Sequence, residues 1–176
     1  LFGVMRMAVG DAVALFNGRD GEWQADVAEA GKRGGILVCR EQSQPQVMPP
    51  DVWLLFAPIK KARTDFIVEK AVEMGVRRIV PVQTAHTNSE RIRQDRLQAH
   101  AVEAAEQCGG VFVPEVAELT KLDRLLNTWD TARQIAFCDE ALAGETGRLP
   151  VAPGPWAILI GPEGGFSEDE RKRLRG

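Results

Sequence analysis

Two kinds of apolar spacing divide this chain. From Val52 onward, short continuous apolar runs alternate with stretches in which apolar residues recur three or four positions apart. Runs of the first kind read as strands buried on both faces, and stretches of the second kind read as amphipathic helices. The expected strands are Val52–Ala57, Arg78–Val82, Gln134–Cys138 and Trp156–Ile160. A first helix, capped by Thr64 or Asp65, places Ile67, Ala71 and Met74 on one stripe and stops at Gly75. A second, capped by Asp95, aligns Leu97, Ala101, Ala105 and Cys108 and stops at Gly109. Such alternation predicts an α/β fold with a parallel sheet.

The first forty residues follow a different pattern. Ala12–Phe16, Glu22–Glu29 and Ile36–Cys39 are strand-like, and Trp23, Ala25 and Val27 alternate along the middle run. Asn17-Gly18, Asp20-Gly21 and Gly34-Gly35 supply turns between them. This predicts a small β unit, a partial barrel, over residues 1–45. Gln42–Pro50, with its three prolines and three glutamines, reads as a linker. The boundary is set at residues 46–51, and an α/β domain follows over 52–176.

Chemistry concentrates where the last apolar run ends. Gly161-Pro162-Glu163-Gly164-Gly165 follows Ile160, and Ser167 with Glu170 then forms a capping box that opens a helix. Ligands of open α/β sheets sit outside the carboxyl end of a strand, in that position. The glycine spacing is neither G-x-G-x-x-G nor a P-loop. Backbone groups bared by these glycines suit the edge of an adenine or another flat heterocycle better than a phosphate chain. A tight connection without a ligand is the plainer alternative, since glycines also serve turns.

Composition narrows the classes. The 176 residues are 44% hydrophobic and 27% charged, with a net charge of −3, as in ordinary globular proteins. No apolar segment approaches the roughly 20 residues that span a bilayer. The N-terminal residues do not follow a signal-peptide pattern either, so a cytoplasmic protein without membrane attachment is expected. Cys39, Cys108 and Cys138 are widely spaced and read as reduced, buried thiols. The two histidines and three cysteines form no zinc spacing, and no metal site is expected. The mild acidity argues against a broadly basic nucleic-acid binder. Local clusters at Lys60-Lys61-Arg63, Arg77-Arg78, Arg91-Arg93-Arg96 and Arg171-Arg175 nonetheless leave room for phosphate contacts. His86 and Arg91 flank a polar loop, Thr84–Arg91, just past a strand end, where substrate contacts often lie.

Four ordered blocks carry a resemblance. Ile160–Ser167 with Glu170 resembles the signature of the 16S ribosomal RNA uridine-N3 methyltransferases, a family of the SPOUT superfamily. Lys60 with Glu69–Val76, and Glu103–Gly109 with Val113–Val116, resemble two further segments of that family. Val4-Met5-Arg6, Gly10-Asp11 and Leu15–Gly18 resemble its opening. Three departures stand out. Gly110 replaces an arginine, Thr84-Ala85-His86 stands where the family often has Ser-Glu-Arg, and the closing L-G-x-R-I-L-R-x-E-T-A run is absent. The family assigns part of its cofactor pocket to that run, so further pocket residues are expected beyond Gly176.

The resemblance implies a PUA-like β-barrel followed by a SPOUT-type α/β knot with helices on both faces of the sheet. It implies a homodimer that methylates N3 of a uridine in the 16S RNA of the small ribosomal subunit, using S-adenosylmethionine. Cofactor contacts would come from Leu159, Ile160, Gly161, Pro162, Glu163, Gly164 and Gly165. Glu163 and Glu106 are candidates for orienting the substrate or accepting its proton, and Arg6, Lys60, His86 and Arg91 for gripping RNA. Two other classes stay open on the sequence: a non-catalytic RNA-binding module, and a Rossmann-like metabolic enzyme with an adenine cofactor.

Overall fold

A computed structural model describes residues 5–31, 33–88, 91–142 and 153–175. Val4 of the opening block, Ser89 and Glu90 of the polar loop, and the terminal Gly176 lie outside the described residues. The chain divides into two units, residues 1–48 with 109–112, and residues 49–108 with 113–176.

In the first unit, β1 (Ala12–Phe16), β2 (Glu22–Gly31) and β3 (Gly34–Gln44) form an antiparallel sheet in the order β1-β2-β3. The alternation on β2 works as expected, with Ala25 and Val27 buried. Three register shifts interrupt the β2–β3 ladder, and each such bulge bends the strand. Asn17 Oδ1 accepts the backbone N–H groups of Arg19 and Asp20, which fixes the β1–β2 turn. One expectation is corrected here. Gln42, Ser43 and Gln44 belong to β3 rather than to a linker. Gln42 pairs with Trp23 in the ladder and donates its side-chain amide to the Asp20 carbonyl at 2.8 Å. Their polar side chains suit an exposed strand, which composition alone cannot distinguish from a linker.

The second unit is a parallel sheet in the order β6-β5-β4-β9-β8. Its strands are β4 (Val52–Phe56), β5 (Arg78–Gln83), β6 (Glu115–Val116), β8 (Gln134–Cys138) and β9 (Trp156–Ile160), and a two-residue β7 (Thr120–Lys121) pairs with β5. Every ladder among them is parallel. Leu55 on β4 stands opposite both Val80 and Leu159, so one face of the three central strands is a continuous apolar surface. Leu122 from a short helix α3 (Leu122–Asn127) and Phe166 close over it, and all five are buried. Burying each such side chain contributes about 1.5–3 kcal/mol. At the start of β4, the Arg133 guanidinium lies 3.9 Å from the Trp53 ring centroid and donates to the Asp51 carboxylate at 3.0 Å. That bond holds the Asp51 carboxyl below its usual range.

Both long helices form, but their starts and faces differ from expectation. Helix α1 (Lys61–Glu73) begins after Lys60, with no side-chain cap. Thr64 is buried one turn inside, its hydroxyl donating to the Ile59 carbonyl and accepting the Ile59 N–H. Asp65 binds Arg96 of helix α2 (Gln94–Cys108). The buried stripe of α1 is Thr64, Val68, Ala71 and Val72, while Met74 is 84% exposed. Packing of α1 on α2 selects this neighbouring stripe, because both faces of α1 carry enough apolar residues to serve. Asp95 lies within the first turn of α2 and pairs with Arg93. The three cysteines are exposed, not buried. Cys108 completes the apolar spacing of α2 yet falls at its final, uncovered turn.

Candidate active site

Strand β9 lies between β4 and β8, so the loop that leaves it emerges at the sheet's carboxyl edge, one strand in from β8. Ile160 is the last strand residue and is 45% exposed. The Gly165 N–H donates to the Pro162 carbonyl at 2.9 Å and closes a tight turn. Gly165 adopts φ +69°, and a Cβ there would collide with the Glu140 carboxylate. At Gly161 a Cβ would lie 2.5 Å from the ring of Phe166. These two glycines thus let the chain turn and let Phe166 fold back into the core. Gly164 is different: it is exposed. Among the described residues, the N–H groups of Glu163 and Gly164 have no hydrogen-bond partner. Two unpartnered amides on a bare stretch of main chain are suited to the edge of a planar heterocycle.

The capping box is formed, opening helix α4 (Glu168–Arg175). The Glu170 N–H donates to Ser167 Oγ at 3.3 Å, and the Ser167 N–H donates to Glu170 Oε2 at 2.9 Å. The other oxygen of Glu170 accepts the N–H of Ala85 at 2.8 Å. His86, next in that loop, places Nδ1 at 3.0 Å and 3.2 Å from the carbonyl oxygens of Gly164 and Gly165. Carbonyls only accept, so Nδ1 carries a proton, and in the neutral ring Nε2 is left as an acceptor. Buried Thr84 and Thr87 lock the same loop through a hydroxyl–hydroxyl bond of 2.9 Å. The loop after β5 is thereby fastened to the glycine loop through His86 and to the first turn of α4 through Ala85.

On the other side lies Asp139, immediately after β8, with its side chain fully buried. Burial opposes its charge, but hydrogen bonds from Arg171, the Ala141 N–H and Arg175 outweigh it and hold the carboxyl below its ordinary value. Arg171 also grips Glu140, the residue facing Gly165. Because the folded-state value is lowered, this carboxylate contributes stability above the ordinary carboxyl range, and the contribution disappears as pH falls through the lowered value. An Asp139→Asn variant should therefore melt lower than wild type at pH 7, and the gap should shrink below about pH 4. A constant gap in acid melts would exclude this role.

The remaining candidates are dispersed. The side chain of Leu159 is buried in the core, so only its backbone is available to a ligand. Pro162 is buried, and Glu163 is exposed on the loop itself. Glu106 is exposed on α2, and no described hydrogen bond or ion pair joins it to the glycine loop. Lys60 is exposed at the start of α1, where its carbonyl accepts the N–H groups of Arg63 and Thr64. Arg91 is exposed just before α2. Arg6, in the first unit, is exposed with φ +53°. The structure thus unites His86 with the glycine loop, whereas no described hydrogen bond or ion pair joins Glu106 or Lys60 to it. The Asp139–Arg171–Glu140 cluster was not foreseen. Arg171 lies more than thirty positions from both carboxylates, and only the run of arginines on α4 hinted at it.

Comparison with known families decides the assignment. An RNA methyltransferase domain family matches residues 46–176, and an RNA methyltransferase PUA domain family matches residues 1–38. The chain belongs to this RNA methyltransferase family. Among curated relatives of the family, Ribosomal RNA small subunit methyltransferase E of Rickettsia conorii is 26% identical over 175 residues, which span 97% of this chain and 71% of the relative. A Legionella pneumophila methyltransferase structure, solved in complex with the bound cofactor SAM, superposes with a TM-score of 0.82 at 26% identity, over 99% of this chain and 75% of that one. The fold is shared with Ribosomal RNA small subunit methyltransferase E of Neisseria gonorrhoeae, at a TM-score of 0.85 and 24% identity, over 99% and 74% of the two chains. The family accounts for the α/β architecture and for the N-terminal PUA-like unit together.

Proposed function

We propose that this protein is an S-adenosylmethionine-dependent methyltransferase that modifies N3 of a uridine in the 16S RNA of the small ribosomal subunit. The observation that carries the reading is the glycine loop at the end of β9, with the free amides of Glu163 and Gly164, in a chain of an RNA methyltransferase family. The residues present fit the cofactor. The N–H groups of Glu163 and Gly164 would hold the adenine edge, Gly164 carries no side chain to cover it, and exposed Ile160 would offer an apolar contact. When bound, the cofactor supplies an electrophilic methyl group on a sulfonium, which needs no further activation.

What remains for the protein is alignment, exclusion of water and removal of one proton. Alignment falls to the loop, which Glu170 and His86 fasten on one side and the Asp139–Arg171–Glu140 cluster on the other. The N3–H of uridine must be lost as the new bond forms, and N3 lies in the pairing edge, so the base must be unpaired on arrival. Glu163 stands on the loop, which favours it over Glu106 as the group that orients the base or takes its proton. Arg6, Lys60, His86 and Arg91 would contact RNA. A homodimer, in which a partner subunit completes the cleft, and a cytoplasmic location complete the reading. No described helix is long and apolar enough to cross a membrane.

Calorimetric titration of the full-length protein with S-adenosylmethionine tests the proposal, together with nucleoside mass mapping of small-subunit RNA from a deletion strain. Saturable binding that Gly164→Val abolishes, with loss of one N3-methyluridine from the RNA, is the expected result. An unchanged nucleoside inventory would reject the assignment of the product.

A further inference from the structure

We propose that a cationic groove in the α/β unit, lined by Lys61, Arg91, Lys121 and Arg124, holds the phosphate backbone of the target strand. The inference rests on the function proposed above and assigns that enzyme a substrate track outside its cofactor loop.

Two neighbouring cavities share Arg91, Ile92 and Arg93. The first, at the start of α1, adds Lys61, Thr64 and Arg96; the second, of about 650 Å³, adds Gln83, Lys121 and Arg124. Among the described residues six cations line the pair, but two are already neutralised, Arg93 by Asp95 and Arg96 by Asp65. Among the described residues, the side chains of Lys61, Arg91, Lys121 and Arg124 have no hydrogen-bonded or ion-paired partner, and all four residues are exposed. Among the described residues, no carboxylate lines either cavity. A protein of net charge −3 that leaves four adjacent cations uncompensated concentrates positive potential in one place, and phosphates are the anions that occur in such a row.

The lining also says how the strand is held. Among the described residues, no aromatic side chain lines these cavities, so the lining offers bases no ring to stack on. Ile59, Ile92, Leu97 and Leu119 give an apolar floor between the cations. Such a groove positions a strand without reading its sequence. It ends where the sign of charge changes. A third cavity, which shares Gln83 and Lys121 with the second, is lined by Asp123, Asp169 and Glu170, and its Arg173 is paired with Asp123. Those carboxylates repel a phosphate, so the track stops at Lys121, beside the helix that the glycine loop opens. The backbone is thus held away from the cofactor loop while a neighbouring base reaches it.

The test is the salt dependence of RNA affinity, measured by anisotropy with a labelled oligouridylate and with small-subunit RNA. Removing one cation from its phosphate flattens the slope of log K against log salt by about 0.7 for a single strand. Arg91→Ala with Lys121→Ala should therefore flatten the slope by about 1.4 and weaken binding roughly tenfold near 0.1 M salt, with S-adenosylmethionine affinity unchanged. Lys61→Gln with Arg124→Gln, both on exposed side chains, should do the same if the first pair folds poorly. Lys70→Ala, which removes a cation already bound to Glu69 and Glu73, should leave the slope as in wild type. A wild-type slope in both double variants, or an equal flattening in Lys70→Ala, overturns the track. Wild-type protein that neither binds the cofactor nor methylates RNA would instead overturn the function.

Discussion

Gly165→Val should weaken S-adenosylmethionine binding about a hundredfold while leaving RNA affinity within twofold of wild type. The residue sits at φ +69°, where an L-residue is disfavoured by about 1–2 kcal/mol, and more for a β-branched side chain. Its Cβ would also strike the Glu140 carboxylate. That carboxylate can swing away only by leaving Arg171, a half-exposed pair worth about 1 kcal/mol at most. The two effects sum to roughly 2–3 kcal/mol, which the free loop sheds by relaxing the turn between Pro162 and Gly165. Cofactor binding must then restore the native turn at that cost, and each 1.4 kcal/mol is tenfold in affinity. The loss is read by calorimetry. Wild-type affinity would mean the donor is held elsewhere.

Gly161→Val should act on folding first. Its φ is unremarkable, so the difficulty is space: a Cβ would lie 2.5 Å from the Phe166 ring. Phe166 is 1% exposed and packs edge-on against Phe137 at 4.8 Å between centroids. The ring has no room to retreat without disturbing Leu159 and Leu122, its neighbours in the core. Overpacking of this kind costs about 1–3 kcal/mol, or roughly 2–12 °C in Tm for a chain of this size. Phe166→Leu placed in the same variant should restore part of the loss, since it removes the ring edge. Equal Tm values for Gly161→Val and wild type, by calorimetric melts, would exclude the contact.

The parallel sheet was legible because continuous apolar runs have few other uses in a domain of this size. Gln134–Cys138 and Trp156–Ile160 appear as strands with the bounds their apolar runs suggested. The helix of Ser167–Glu170 was legible for a local reason, since a capping box needs only four residues. Less visible were β6, β7 and α3. Two-residue strands carry no periodicity, and α3 is a single run of six. Helix faces were misjudged wherever apolar residues occupied two stripes, as on α1, because the choice depends on which partner arrives. The surroundings of the glycine loop were hidden for a related reason. His86, Glu140 and Arg171 reach it from three separate elements, and nothing in their spacing announces a meeting.

Glu170 divides its two carboxylate oxygens between the first turn of α4 and the main chain at Ala85. One rotamer thus decides the order of two segments eighty-five positions apart. If that side chain swings free, both lose an anchor in the same instant, and local opening on either flank spreads to the other. Mobility around the glycine loop is therefore shared, and the two flanks behave as a single hinged collar.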